Sequence, residues 1–131
     1  MGFMLKTAYQ FLEYLQYVKQ ASSHTIRNYA IDLNSLKQFI EDNVLKLSNE
    51  EKPEKISYKT SYEERKKDFD EHLQLHLIDR KVLRRFLAFL HSKEARKTTI
   101  VRRLSALKTF FEYCLREKKN FSKSFRRNFE P

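Results

Sequence analysis

The run Lys97-Thr-Thr-Ile-Val-Arg-Arg-Leu-Ser-Ala-Leu-Lys-Thr-Phe-Phe-Glu-Tyr113 constrains the fold more than any other stretch. At about 100° per residue, Ile100, Leu104, Leu107, Phe111, Cys114 and Leu115 fall on one side of a helix. Such a stripe has to be covered by other elements, so the run demands a packed helical core. The other side carries Thr98, Thr99, Arg102, Ser105, Ala106, Thr109 and Arg116. Small and hydroxylated residues let a backbone come close to a groove, and arginine donates to phosphates and guanine edges. An ordinary solvated face has the same makeup. This helix alone does not separate the two readings.

The rest of the chain is expected to be helical as well. One glycine and two prolines in 131 residues leave little scope for tight turns, and the length suits one domain. A first helix is expected over 4–20, with Ala8, Phe11, Leu12, Leu15 and Val18 facing a core and Tyr9, Tyr14 and Tyr17 off that stripe. Ser22 is placed to cap a second helix over 23–42, whose inner side is Ile26, Tyr29, Leu33, Leu36 and Ile40. Its outer side (His24, Arg27, Asn28, Ile31, Asn34, Ser35, Gln38) is polar and nearly uncharged. Asn and Gln can pair with adenine edges and Arg27 can hold phosphate, although a plain exposed face fits equally.

Residues 43–72 are rich in Lys and Glu and poor in apolar side chains, the composition of a mobile or partly helical insertion, with a short helix expected over Glu63–Glu71. Asp79 then caps a third helix over 80–92, stapled by Ile78 and Leu83. Leu83, Phe86, Leu87 and Leu90 face inward, leaving Arg80, Lys81, Arg84 and Arg85 as a basic collar. The architecture expected is all-α, with four main helices and a charged insertion between the second and third. Residues 1–119 form the domain, and 120–131 read as a basic tail or linker.

Charge narrows the function. Residues 1–50 are neutral and 51–80 carry −1, so the net charge of +10 comes from the last 51 residues, at +11. A field that concentrated points to a polyanion, most simply nucleic acid. The single Cys114 allows no internal disulfide and no cysteine-based zinc site, and it reads as a buried reduced thiol. His72 and His76 have helical spacing but lack a third ligand, so no metal site is expected. One glycine cannot make a phosphate-binding loop. No apolar run approaches the roughly 20 residues of a membrane span, no signal-peptide pattern opens the chain, and a cytoplasmic location is expected. These residues describe a binding module with no cofactor, no small-molecule substrate and no catalytic group.

The same residues carry a family resemblance. Thr99-Ile-Val-Arg-Arg-Leu-Ser-Ala-Leu-Lys-Thr-Phe-Phe-Glu-Tyr113 resembles the last major helix of the core-binding domain of tyrosine recombinases, in the Xer and phage-integrase branch. Phe11-Leu-Glu-Tyr-Leu15, Ser22, Thr25, Tyr29, Asp32-Leu33 and Phe39 resemble that family's opening pair of helices, and Val82–Leu90 its third. The resemblance covers about residues 8–117. It implies an N-terminal SAM-like helical domain that clamps duplex DNA together with a C-terminal catalytic domain, serving chromosome-dimer resolution or mobile-element integration. It also implies that helices 23–42 and 98–116 face the major groove. The first helix would meet neighbouring protomers in a DNA-bound tetramer.

The family's catalytic set (an Arg, a Lys, His-x-x-Arg, a His or Trp, and the Tyr nucleophile) lies downstream of this domain. His24-Thr-Ile-Arg27 matches one motif by letters only. Arg96 stands where the family often has a capping Ser, so the last helix is expected to start from Thr98. Phosphate contacts are expected from Arg84, Arg85, Arg96, Lys97, Arg102 and Arg103, and groove contacts from Arg27, Asn34, Gln38, Ser105 and Thr109, with Thr99 on the same side as these. Two other readings use the same residues: a helical module docking an acidic protein, and a membrane-surface binder acting through Phe121–Phe129.

Overall fold

The computed structural model describes residues 2–93 and 95–117. The expected tail or linker at 120–131 and its membrane-binding stretch lie outside the described residues. The elements run α1 (Met4–Tyr17), α2 (Ser23–Phe39), α3 (Arg80–Ser92) and α4 (Lys97–Arg116). Among the described residues the only strand-like pairing is one bridge, Phe3 with Gln74. The chain divides into two compact units, Phe3–Gln74 and Gly2 with the residues from Leu75 onward.

In the first unit α1 and α2 pack on each other, with Phe11 edge-on to Tyr29 at 5.4 Å between ring centroids. Met4, Leu5, Ala8, Phe11, Leu12 and Leu15 of α1 meet Ile26, Ala30, Leu33, Leu36 and Phe39 of α2 in the core. α1 stops three residues earlier than expected, because Gln20 takes a left-handed conformation (φ 52°). Val18 therefore falls off the core stripe and is 66% exposed. Ser22 caps α2 as expected, its hydroxyl accepting the Thr25 N–H at 3.1 Å. Beyond Phe39 the helix widens into a turn of π-type bonds over Ile40–Val44.

The insertion, expected to be mobile or partly helical, carries short helical turns at Asn49–Glu51 and Asp70–His72 and is bonded to the helices beside it. No helix forms over 63–71. Phe69 is left-handed (φ 65°), and only the short 3-10 turn Asp70–His72 follows it. What fixes the segment is buried charge. Arg65, with a side chain 1% exposed, uses all five of its N–H groups. Nε and Nη2 grip the two oxygens of Asp70 at 3.1 and 2.8 Å, Nη1 donates to Tyr9 Oη and the Lys55 carbonyl, and Nη2 also donates to the Glu54 carbonyl. Burial works against the Arg65 charge, but the bonds to Asp70 and Tyr9 outweigh it and hold the group protonated. Tyr9, expected off the core stripe, is buried beneath this segment and also accepts the Ser57 N–H at 2.9 Å.

A second buried pair joins Lys37 Nζ to Glu41 Oε2 at 2.6 Å, with Nζ also donating to the Pro53 carbonyl. Burial lowers the Lys37 pKa and raises that of Glu41, and their mutual hydrogen bond opposes both shifts. Ile56 completes the attachment as a buried apolar plug. The insertion is thus a strap bound down on α1 and α2.

In the second unit Leu75 and Ile78 are fully buried, and the Leu75 N–H donates to the Gly2 carbonyl at 2.7 Å. Asp79 caps α3 as expected, accepting the Val82 N–H at 2.8 Å. The inner stripe of α3 is Val82, Phe86 and Leu90, with Leu83 and Leu87 half-buried beside it. α3 packs on α4, which buries Ile100, Leu107, Phe110, Phe111, Tyr113 and Cys114.

Candidate nucleic-acid interface

α4 begins at Lys97 rather than Thr98. Arg96 is its N-cap in extended backbone, and the Arg96 side chain makes no capping hydrogen bond. The first turn has no acidic residue and Arg96 and Lys97 stand beside it. Cations there oppose the helix dipole, a cost of about 0.3–1 kcal/mol that a phosphate would reverse.

Along the helix, Lys97, Thr98, Val101, Arg102, Ser105, Lys108 and Arg116 are exposed. Thr99, Arg103, Ala106 and Thr109 are half-buried. Phe110 and Tyr113 are drawn into the core, which turns the outward stripe away from Thr99 and Arg103 and toward Val101 and Lys108. Neither Val101 (58% exposed) nor Lys108 was in the expected set. The signal was available in Phe110 and Tyr113, since two large aromatics one turn apart widen the apolar side. A bare valine among threonine, serine and arginine adds apolar surface that can meet a thymine methyl, as a threonine methyl also can. The Thr109 hydroxyl donates back to the Ser105 carbonyl at 3.2 Å, so part of its bonding capacity is spent inside the helix.

On α3 the collar is present as expected. Arg80, Lys81, Arg84 and Arg85 are all exposed on the side away from Val82, Phe86 and Leu90. On α2, Arg27 and Gln38 are exposed and share the outward side with Ile31, which is 43% exposed. His24 and Asn28 bond to each other at 3.3 Å.

Asn34 has a different task from the groove contact expected of it. Its Nδ2 donates to the Ile56 carbonyl and its Oδ1 accepts the Ile56 N–H, both at 2.9 Å. That two-way bond ties the strap to the flank of α2 and leaves the amide one N–H and one lone pair.

Other chemistry is not assembled. Asp70–His72 and Leu75–Leu77 are separate 3-10 turns, so His72 and His76 do not share the single helix their spacing suggested. Among the described residues no group of three or more His, Cys, Asp or Glu is placed to hold a metal ion. No helix among them is long and apolar enough to cross a membrane. Cys114 is fully buried, as its position on the apolar stripe predicts.

Comparison with known proteins agrees with the helical pattern. The family model for the phage integrase N-terminal SAM-like domain matches in two overlapping segments, 8–68 and 55–118. The chain is 38% identical to tyrosine recombinase XerC of Chlamydia caviae, and 37% identical to that of Chlamydia pneumoniae, each over 88% of this chain and 34% of the relative. It is 27% identical to tyrosine recombinase XerC of Staphylococcus aureus over 88% of this chain and 29% of that protein. The chain therefore spans about a third of the length of the curated relatives it matches. No solved structure gives a significant match. With both segments of the family model matched, the chain belongs to the SAM-like N-terminal domain family of phage integrases and Xer-type tyrosine recombinases.

Proposed function

We propose that this chain binds duplex DNA as the N-terminal clamp half of a Xer-like tyrosine recombinase. The observation that carries the reading is the outward side of α4, where Lys97, Thr98, Val101, Arg102 and Ser105 stand exposed above a helix start flanked by Arg96 and free of acidic residues in its first turn. That surface offers point charges and a guanidinium fork for phosphates, and small side chains where a backbone must come close. The collar of α3 adds Arg84 and Arg85. Arg27, Gln38 and Ile31 of α2 supply a second, less charged contact surface. Thr99 and Arg103 act at the edge of the α4 contact, and Arg96 and Lys97 at its start.

The reaction served is site-specific strand exchange, for chromosome-dimer resolution or mobile-element integration, and its bond-breaking steps belong to groups other than those described. Further protomers on the same DNA are the second partner. Tyr17 and Val18, 72% and 66% exposed at the end of α1, offer apolar surface for that protein contact.

Fluorescence anisotropy on a short duplex across a salt series tests the reading. Each phosphate contact contributes about 0.9 to the slope of log affinity against log salt. Arg102→Ala is expected to lower that slope by about one contact while leaving the thermal melt unchanged. Salt-sensitive binding that ignores Arg102 would move the contact to the α3 collar. Absence of duplex binding at low salt, together with capture of an acidic protein, would replace the reading with a protein-docking module.

A further inference from the structure

The strap does more than cover the core. Residues Glu54–Tyr58 line a shallow groove together with Arg27, Ala30, Ile31 and Asn34 of α2. They therefore run alongside the outward side of that helix, next to Arg27 and Ile31. Within the segment Ile56 is buried, whereas Lys55, Tyr58 and Lys59 are exposed. Lys59 Nζ lies 5.6 Å from the centre of the ring of Tyr58, which itself lines the groove, although Lys59 does not. Glu54 is the one acidic residue of the groove, and one of its carboxylate oxygens is occupied by the Lys66 N–H at 2.8 Å. The segment cannot drift from α2, since Asn34 holds both backbone groups of Ile56 and Lys37 holds the Pro53 carbonyl.

We infer that the strap is a second rail of the DNA-binding surface, with Lys55 and Lys59 contacting the phosphate backbone that borders the groove read by α2. This rests on the DNA-binding reading above and extends it to residues outside the four helices. A folded strap fixed against a polar helix face, with Lys55 exposed at the groove and Lys59 exposed beyond Tyr58, fits a rigid, regularly charged polyanion. Lysine is suited to the task because a phosphate edge needs a point charge and no fork geometry. The Asn34 side chain, spent on the strap, is then exchanged for two cations at the same flank.

The test compares Lys55→Ala/Lys59→Ala with Lys6→Ala/Lys19→Ala, which removes the same charge from exposed positions on and just beyond α1. The probe is one short duplex titrated across salt, with thermal melts of every variant. The strap variant is expected to lower the salt slope by about 1.8, two phosphate contacts, with an unchanged melt, and the α1 variant to leave the slope near wild type. A wild-type slope in the strap variant, or equal losses in both variants, would overturn the inference while the role of Arg102 stands. A melt that falls in step with binding would make the lysines structural and overturn it as well. Failure of the wild-type chain to bind duplex DNA would remove both this inference and the function it rests on.

Discussion

Arg65 in one unit and Arg84, Arg85 and Arg102 in the other have opposite fates. In Phe3–Gln74, Arg65 lies inside, with five donors matched by Asp70, Tyr9 and two backbone carbonyls. From Leu75 onward, Arg84, Arg85 and Arg102 stand at the surface around a core of leucine, isoleucine and phenylalanine. One unit is thus held partly by charge and the other by apolar packing that leaves its charge outward. A cation's sequence neighbours do not tell which it will be. Its partners far along the chain do, and Tyr9 lies 56 residues from Arg65.

That contrast can be broken most strongly at Arg65. Arg65→Leu leaves the Asp70 carboxylate buried and unpaired, and removing one partner of such a pair costs about 3–5 kcal/mol. Hydrogen exchange should show the Ile56 and Ser57 amides losing protection while the α4 amides keep theirs. Equal loss in both units would mean that they unfold as one, and the contrast would then describe composition only. A smaller effect is expected from Asn34→Ala, which strips the partner from two half-buried backbone groups of Ile56 and should cost about 1–3 kcal/mol by denaturant melting. A change below a few tenths would mean the strap is held by Arg65 and Lys37 alone.

The smallest effect concerns pH. Bonds from the Ser61 N–H and hydroxyl hold the Glu64 carboxyl below its ordinary 4.5. A depressed folded-state pKa contributes stability that is present above 4.5 and is lost as pH falls through the lower, folded value. Glu64→Gln should therefore melt slightly below wild type at neutral pH, with the gap closing in acid. A gap independent of pH would assign the bond's worth to geometry rather than charge.

The helices were legible because their evidence is local. Ser22 and Asp79 precede apolar periods and cap as expected, and α3 runs over the residues its pattern predicts. The candidate face of α4 was legible in outline. Its rotation was not, because Phe110 and Tyr113 had to be weighed against the rest of the stripe. The strap was hidden for a deeper reason. Lys37, Glu41, Arg65 and Asp70 read as solvated residues in any window of sequence, and only pairing makes their burial tolerable. The bond of Asn34 to the strap was hidden on the same ground, since a polar side chain on an outer helix face looks identical whether it awaits a ligand or holds the chain's own backbone.

The lone thiol of Cys114 has a practical corollary. It is fully buried on α4, and no other cysteine exists in the chain. A thiol-modifying dye can therefore reach it only when the packing around that part of α4 opens, and the labelling rate becomes a clock for that opening. Run with and without DNA, the clock would time how firmly the duplex keeps the helix seated, with no mutation.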